Sequence, residues 1–257
     1  MALNRRIFSA TLAAGLASGL HGRTSAATMS IVKANNVVLA HGLYADGSSW
    51  LDVIAQLQER GLNVTSVQHP LTTLAEAVAA CRKVLDRQDG PTVLAGHSFG
   101  GTIISEVGMH PKVSALVYVA ARAPDAGEDH AGLARTFPTP PASTGVIYDG
   151  DEGRMSEEAF LRDFVPELSQ ARARALFAAQ WPFQRGLLSD RTTQAAWRSK
   201  PSFFAVSTRD RVVDPGLQRF LAKRMGATTV ELDTGHVSLL SRPRAISDLI
   251  LQAAGHT

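Results

Sequence analysis

The chain has 257 residues, 45% of them hydrophobic and 19% charged, which suits one globular unit with a sizeable core and excludes a disordered or fibrous chain. Its formal charge of +3 is no argument for nucleic acid. Arg5, Arg6 and Arg23 lie in residues 1–27 with no acid beside them, and without that segment Lys and Arg balance Asp and Glu. A single cysteine, Cys81, excludes an internal disulfide, and its place in the helical stretch LAEAVAACRKVL reads as a buried structural thiol.

The opening segment MALNRRIFSATLAAGLASGLHGRTSAA reads as an export signal. Paired arginines precede an apolar stretch from Ile7 to Leu20, and Ser25 and Ala27 stand at the small-residue positions of a cleavage site, as in a twin-arginine signal. Gly15, Gly19 and His21 break the stretch, which is short for a membrane span. The expectation is a bacterial protein exported to the periplasm or beyond, with no stable membrane anchor after cleavage.

From Val37 onward, strand and helix patterns alternate. VVLA is a strand, followed by a helix in SSWLDVIAQLQERG with Ser48 or Ser49 as its cap. LNVTSVQ is the second strand, and TLAEAVAACRKVLDRQ the second helix, with Thr73 and Glu76 at capping-box spacing. PTVLAGH, VSALVYVAA, PSFFAVS and TTVELD supply four more strands. Between them come helices in GGTIISEVGMH, ended by Pro111, and in DPGLQRFLAKRMG, with a last one in PRAISDLILQAAG. Such alternation predicts an α/β protein with a mostly parallel sheet of about six strands and helices on both faces. Residues 28–123 and 201–257 form the predicted core. The pattern breaks over 124–200, where two helical stretches, SEEAFLRDFVPEL and SQARARALFAAQ, predict a helical cap over the strand ends.

The chemistry is concentrated in VLAGHSFGGT. Gly96-His97-Ser98-Phe99-Gly100 sits where a strand stops and a helix begins, and the flanking glycines allow the tight turn that holds a hydroxyl clear of the sheet. A serine nucleophile needs a base, and His236, just past the last strand in ELDTGHVSLLSRP, is the histidine in position to serve. Asp210, just past the fifth strand, is the favoured orienting acid, with Asp125 and Asp233 as alternatives and Asp214 as a helix cap. Backbone N–H groups of Leu43, after His41-Gly42, and Phe99 would form the oxyanion hole. Tyr44, Trp181 and Phe183 are expected to line an apolar pocket for small to medium, uncharged esters or lactones.

At this point the chain resembles the α/β-hydrolase family from about Asn36 to its end, in HGLYADGSSW, GHSFGG, LVYVAARAPDAGE and GHVSLLSRP. It is similar to bacterial esterases of the branch that includes plant hydroxynitrile lyase-like esterases. The resemblance implies the α/β-hydrolase fold, Ser98, Asp210 and His236 as the triad, and no metal or organic cofactor. Hydroxynitrile lyases of this type have Thr in place of Gly42 and Lys in place of Val237, so both departures favour ester hydrolysis. Lactonase, perhydrolase and cofactor-free lyase activity remain alternatives on the same triad, and a ligand-binding protein with little turnover is the alternative outside enzymes.

Overall fold

Continuous runs of Val, Leu, Ala and Phe build the central sheet of the computed structural model, which describes residues 31–256. The export signal read in residues 1–27 lies outside them. In chain order the elements are β1 (Asn36–Ala40), α1 (Leu51–Glu59), β2 (Asn63–Val67), α2 (Leu74–Asp86), β3 (Thr92–His97), α3 (Gly100–Val107) and β4 (Val113–Val119). An insertion follows with α4 (His130–Ala134), β5 (Val146–Asp149), β6 (Glu152–Met155), α5 (Glu157–Ala159), α6 (Gln170–Ala178) and β7 (Phe183–Gln184). The chain then completes the sheet with β8 (Ser202–Ser207), α7 (Pro215–Met225), β9 (Thr228–Leu232), α8 (Ser238–Ser241) and α9 (Pro243–Ala253).

The six-stranded sheet runs β2-β1-β3-β4-β8-β9, and every neighbouring pair is parallel. Residues of β1, β3 and β8 are buried throughout, whereas the edge strands β2 and β9 are mostly half-buried or exposed. That is why the inner strands are apolar without alternation. The chain leaves β1 toward β2 and returns to β3 on the other side, so the strand order reverses between β1 and β3. The crevice at such a reversal is where open α/β sheets receive ligands.

Local chemistry accounts for the helix boundaries. Thr73 caps α2 by accepting from the Glu76 N–H at 3.2 Å, and Asp214 caps α7 by accepting from the Leu217 N–H at 3.0 Å, with Gly226 at φ +61° ending that helix. Two expectations change. Asp46, rather than Ser48 or Ser49, caps the 3-10 turn before α1, because its carboxylate reaches the Ser48 N–H at 2.7 Å. Helix α3 stops at Val107, ahead of Pro111, with the Gly108 N–H bonded to the Ile104 carbonyl.

The insertion between β4 and β8 holds the two expected helical stretches, the first of which widens into a π-helical turn over Phe160–Phe164. It also holds a three-stranded antiparallel sheet, β5-β6-β7, which the sequence pattern had not suggested. Its strands are short and largely exposed, so they lack an apolar alternation to read. The legible signal was Gly150-Asp151, the two-residue turn that joins β5 to β6, with Gly150 at φ +57°. Phe160, Phe164, Phe183 and Trp197 are buried.

Candidate active site

Strand β3 ends in the turn that carries Ser98, and the turn is built by close approach. A Cβ on Gly100 would lie 2.5 Å from the Ala40 carbonyl oxygen, and one on Gly101 would lie 1.9 Å from that of Arg122. Only glycines let α3 start this near the ends of β1 and β4. Ser98 itself has φ +53°, a left-handed conformation that carries strain of order 1–3 kcal/mol in a non-glycine residue. Its backbone is pinned on both sides: the N–H donates to the Val119 carbonyl at 3.1 Å, and its carbonyl accepts from the Arg122 N–H at 3.0 Å. The other two non-glycine residues with positive φ, among those described, are Tyr44 after β1 and Ala120 after β4. All three flank the same crevice.

The loops after β8 and β9 bring Asp210 and His236 together. The His236 Nδ1–H donates to Asp210 Oδ2 at 2.8 Å, with both side chains fully buried. The other Asp210 oxygen accepts the Val212 and Val213 N–H groups at 2.7 and 3.0 Å. A residue absent from the sequence reading completes the set. The buried Gln218 of α7 donates to Asp210 Oδ2 at 2.7 Å and to the Val213 carbonyl at 2.9 Å, and accepts from the Ser207 N–H at 3.0 Å. Its sequence signal was a polar residue between Leu217 and Leu221, on a helix face that proves to be buried. The alternatives lie elsewhere. Asp125 pairs with Arg198, and Asp233 pairs with Arg209.

With Nδ1 donating, Nε2 of His236 presents its lone pair. That atom is buried and has no hydrogen-bond partner among the described residues, Ser98 included. Hydrogen bonds of this kind often close only when substrate is bound. The His97 Nε2–H holds the His236 carbonyl at 3.1 Å. Burial, and His236 beside it, push the His97 pKa well below the usual histidine range, so His97 is a neutral donor.

Two carboxylates from the insertion brace these loops. Glu167 accepts from the Gly235 N–H at 2.9 Å and from the Thr234 hydroxyl, and pairs with Arg209 at 2.9 Å. Asp163, buried, pairs with Arg211 at 2.7 Å and with Arg162 at 2.8 Å. Each binds residues adjacent to Asp210 or His236, so the insertion fixes the pair from above. Sequence gave no sign of this, because the partners lie more than 40 residues away.

Leu43 and Phe99 are buried at the ends of β1 and β3, and neither N–H has a protein acceptor among the described residues. Gly42 lies so close beneath that a Cβ there would be 2.7 Å from Ser98 Cβ. The adjoining cavity is lined by Tyr44, His97, Phe160, Phe164 and Val237 and has a volume of only about 10 Å³, room for one water. Phe183 packs edge-on behind Tyr44, with ring centroids 5.4 Å apart, and supports the wall. Trp181 does not belong to the pocket. It is 70% exposed, because the short strand β7 turns Phe183 inward and leaves Trp181 on the surface before it. Phe164, 5.4 Å from the His236 ring, takes the place expected of Trp181. Cys81 is buried in α2, and burial pushes its thiol up to about 12.

A sequence model described as the alpha/beta hydrolase family matches residues 37–249. The chain belongs to that family. No curated protein matches this alpha/beta hydrolase by sequence. Solved structures share its fold. A pyrethroid hydrolase from Sphingobium faniae JZ-2 is 20% identical with a TM-score of 0.71, covering 87% of this chain and 98% of its own. Polyneuridine aldehyde esterase is 18% identical with a TM-score of 0.72, covering 86% and 99%. An extracellular alpha/beta-hydrolase from a Paenibacillus species is 20% identical with a TM-score of 0.69, covering 85% and 98%. Among the described residues, no helix is long and apolar enough to cross a membrane, and no three His, Cys, Asp or Glu side chains group as a metal site.

Proposed function

We propose that this alpha/beta hydrolase is a serine esterase that cleaves carboxylic esters through an acyl-enzyme on Ser98. The observation that carries the reading is a strained serine at the sheet's reversal point beside a buried Asp210–His236 pair. His236 Nε2 takes the Ser98 proton as the hydroxyl attacks the ester carbonyl. The Leu43 and Phe99 N–H groups hold the oxyanion, a contact worth on the order of 100- to 1000-fold in rate per donor. Protonated His236 then releases the alcohol, and the same residue activates the water that frees the acid. Asp210 keeps Nδ1 as the donor and steadies the cation that forms on the ring.

The insertion over residues 124–200 acts as the cap, and the chain is exported and its signal then removed. Small-molecule esters or lactones are the substrates. Gly42 speaks against the lyase alternative, since any side chain there would press on Ser98. The test is hydrolysis of p-nitrophenyl acetate and butyrate beside Ser98→Ala, with labelling by a fluorophosphonate. Turnover and labelling lost together in Ser98→Ala are expected. A folded wild-type protein that neither labels nor turns over would refute the reading.

A further inference from the structure

A second cavity, of about 300 Å³, lies between the loop after β4, helix α4 and the start of α7. Its walls include Val212 and Val213, whose N–H groups hold Asp210, together with Leu188 and Leu217. Into it faces Arg122. The Arg122 backbone is bonded to Ser98, and its guanidinium carbon lies 5.7 Å from the ring centroid of Phe99. A cationic side chain therefore stands next to the turn that carries both the proposed nucleophile and one oxyanion-hole N–H.

What sets Arg122 apart is that nothing neutralises it. Among the described residues its guanidinium has no hydrogen bond and no ion pair. Nearby Arg224 shows the usual solution, with both Glu128 oxygens at 2.6 and 3.0 Å and the Ala123 carbonyl at 2.7 Å. Asp214 also lines the second cavity, but its carboxylate caps α7. Arg135 at the rim is also cationic and pairs with Asp129 at 3.6 Å. His130, on the same wall, has a buried Nδ1 without a partner, and burial and then Arg122 lower its pKa to about 3, so it adds a neutral polar group. Stacking on Phe99 offsets little of the desolvation of a guanidinium. Burial lowers the Arg122 pKa too, as an uncompensated cation requires.

We propose that Arg122 anchors a carboxylate on the acyl part of the substrate, so that the enzyme cleaves half-esters of aliphatic dicarboxylic acids. The inference rests on the esterase reading of Ser98 and revises the expectation of an uncharged substrate. A guanidinium offers a planar pair of donors that matches a carboxylate, and the apolar walls suit the methylene chain between carboxylate and ester. Water adds across the ester, giving the free dicarboxylic acid and the alcohol.

The test compares mono-p-nitrophenyl succinate, glutarate and adipate with their methyl-capped, uncharged counterparts, in wild type, Arg122→Met and Arg122→Lys. The best half-ester should exceed its capped form in kcat/KM by on the order of 10- to 100-fold in wild type. That ratio should fall to about one in Arg122→Met and recover in part in Arg122→Lys. Arg122→Met should leave Tm unchanged or higher, since the guanidinium makes no hydrogen bond or ion pair among the described residues. A fall in Tm with an unchanged ratio would make Arg122 structural and overturn the proposal. Calorimetry of glutarate and inorganic phosphate on Ser98→Ala separates the two readings. Glutarate binding alongside an inactive wild type would sink the esterase and leave the carboxylate site standing. No glutarate binding, or binding of phosphate in its place, would overturn the site even in an active esterase.

Discussion

Gln218→Leu tests whether the Asp210–His236 pair is held by the helix behind it. The substitution keeps the volume and removes three buried hydrogen bonds: to Asp210 at 2.7 Å, to the Val213 carbonyl at 2.9 Å and from the Ser207 N–H at 3.0 Å. The bond to a carboxylate contributes about 1.5–3 kcal/mol, and each orphaned buried backbone group costs about 1–3 kcal/mol. Allowing for the apolar gain of the leucine and for non-additivity, the expected loss is about 3–5 kcal/mol. In a chain of this size that lowers Tm by roughly 10 °C. Activity should fall less steeply, on the order of tenfold, because the Val212 and Val213 N–H groups and His236 still hold Asp210. Urea unfolding and kcat/KM at 25 °C are the assays. Gln218→Glu serves as control, because it keeps the shape and the acceptor for Ser207 but can donate to Asp210 only while protonated. Its stability deficit should therefore grow as pH rises. A Tm within about 3 °C of wild type for Gln218→Leu would refute the claim that this network orders the site.

Three further outcomes are expected. Gly42→Ala should lower kcat by on the order of 100-fold with native-like circular dichroism, because its Cβ meets Ser98 Cβ at 2.7 Å and displaces the Leu43 N–H; unchanged kinetics would mean that the loop relaxes freely. His41, His69 and His97 are buried and His130 is partly buried, and all four have lowered pKa values, about 3 for His69 and His130, against about 6.5 in the unfolded chain. Below about pH 6.5 the unfolded state binds protons that the folded state refuses, so stability falls as the pH drops from about 6.5 toward the folded-state values. A urea midpoint as high at pH 5 as at pH 7 would contradict this. Trp181→Ser should change neither Tm nor kcat/KM for p-nitrophenyl butyrate, and a loss of either would return Trp181 to the pocket.

The strands and the Ser98, Asp210 and His236 positions were legible because each depends on local pattern: an apolar run, a glycine-flanked turn, a polar residue just past a strand. What escaped depends on contacts that the chain makes far from itself. Glu167 reads as an ordinary surface acid until the loop at Gly235 folds under it. Gln218 reads as a helix surface residue until α7 is laid against Asp210. Trp181 and Phe183 are two residues apart, and only the pairing of β7 with β6 decides that Phe183 is inside and Trp181 outside. Arg122 gave no signal at all, since an arginine beyond a strand is unremarkable until its partners are counted.

The left-handed backbone at Ser98 has a consequence for anyone who evolves this protein in the laboratory. Glycine fits φ +53° without strain, so Ser98→Gly relaxes the turn while deleting the proposed nucleophile. Selection for thermostability alone would then enrich inactive clones, and the melting curve would rank them above the parent. Any stabilisation campaign on this scaffold has to screen turnover at every round.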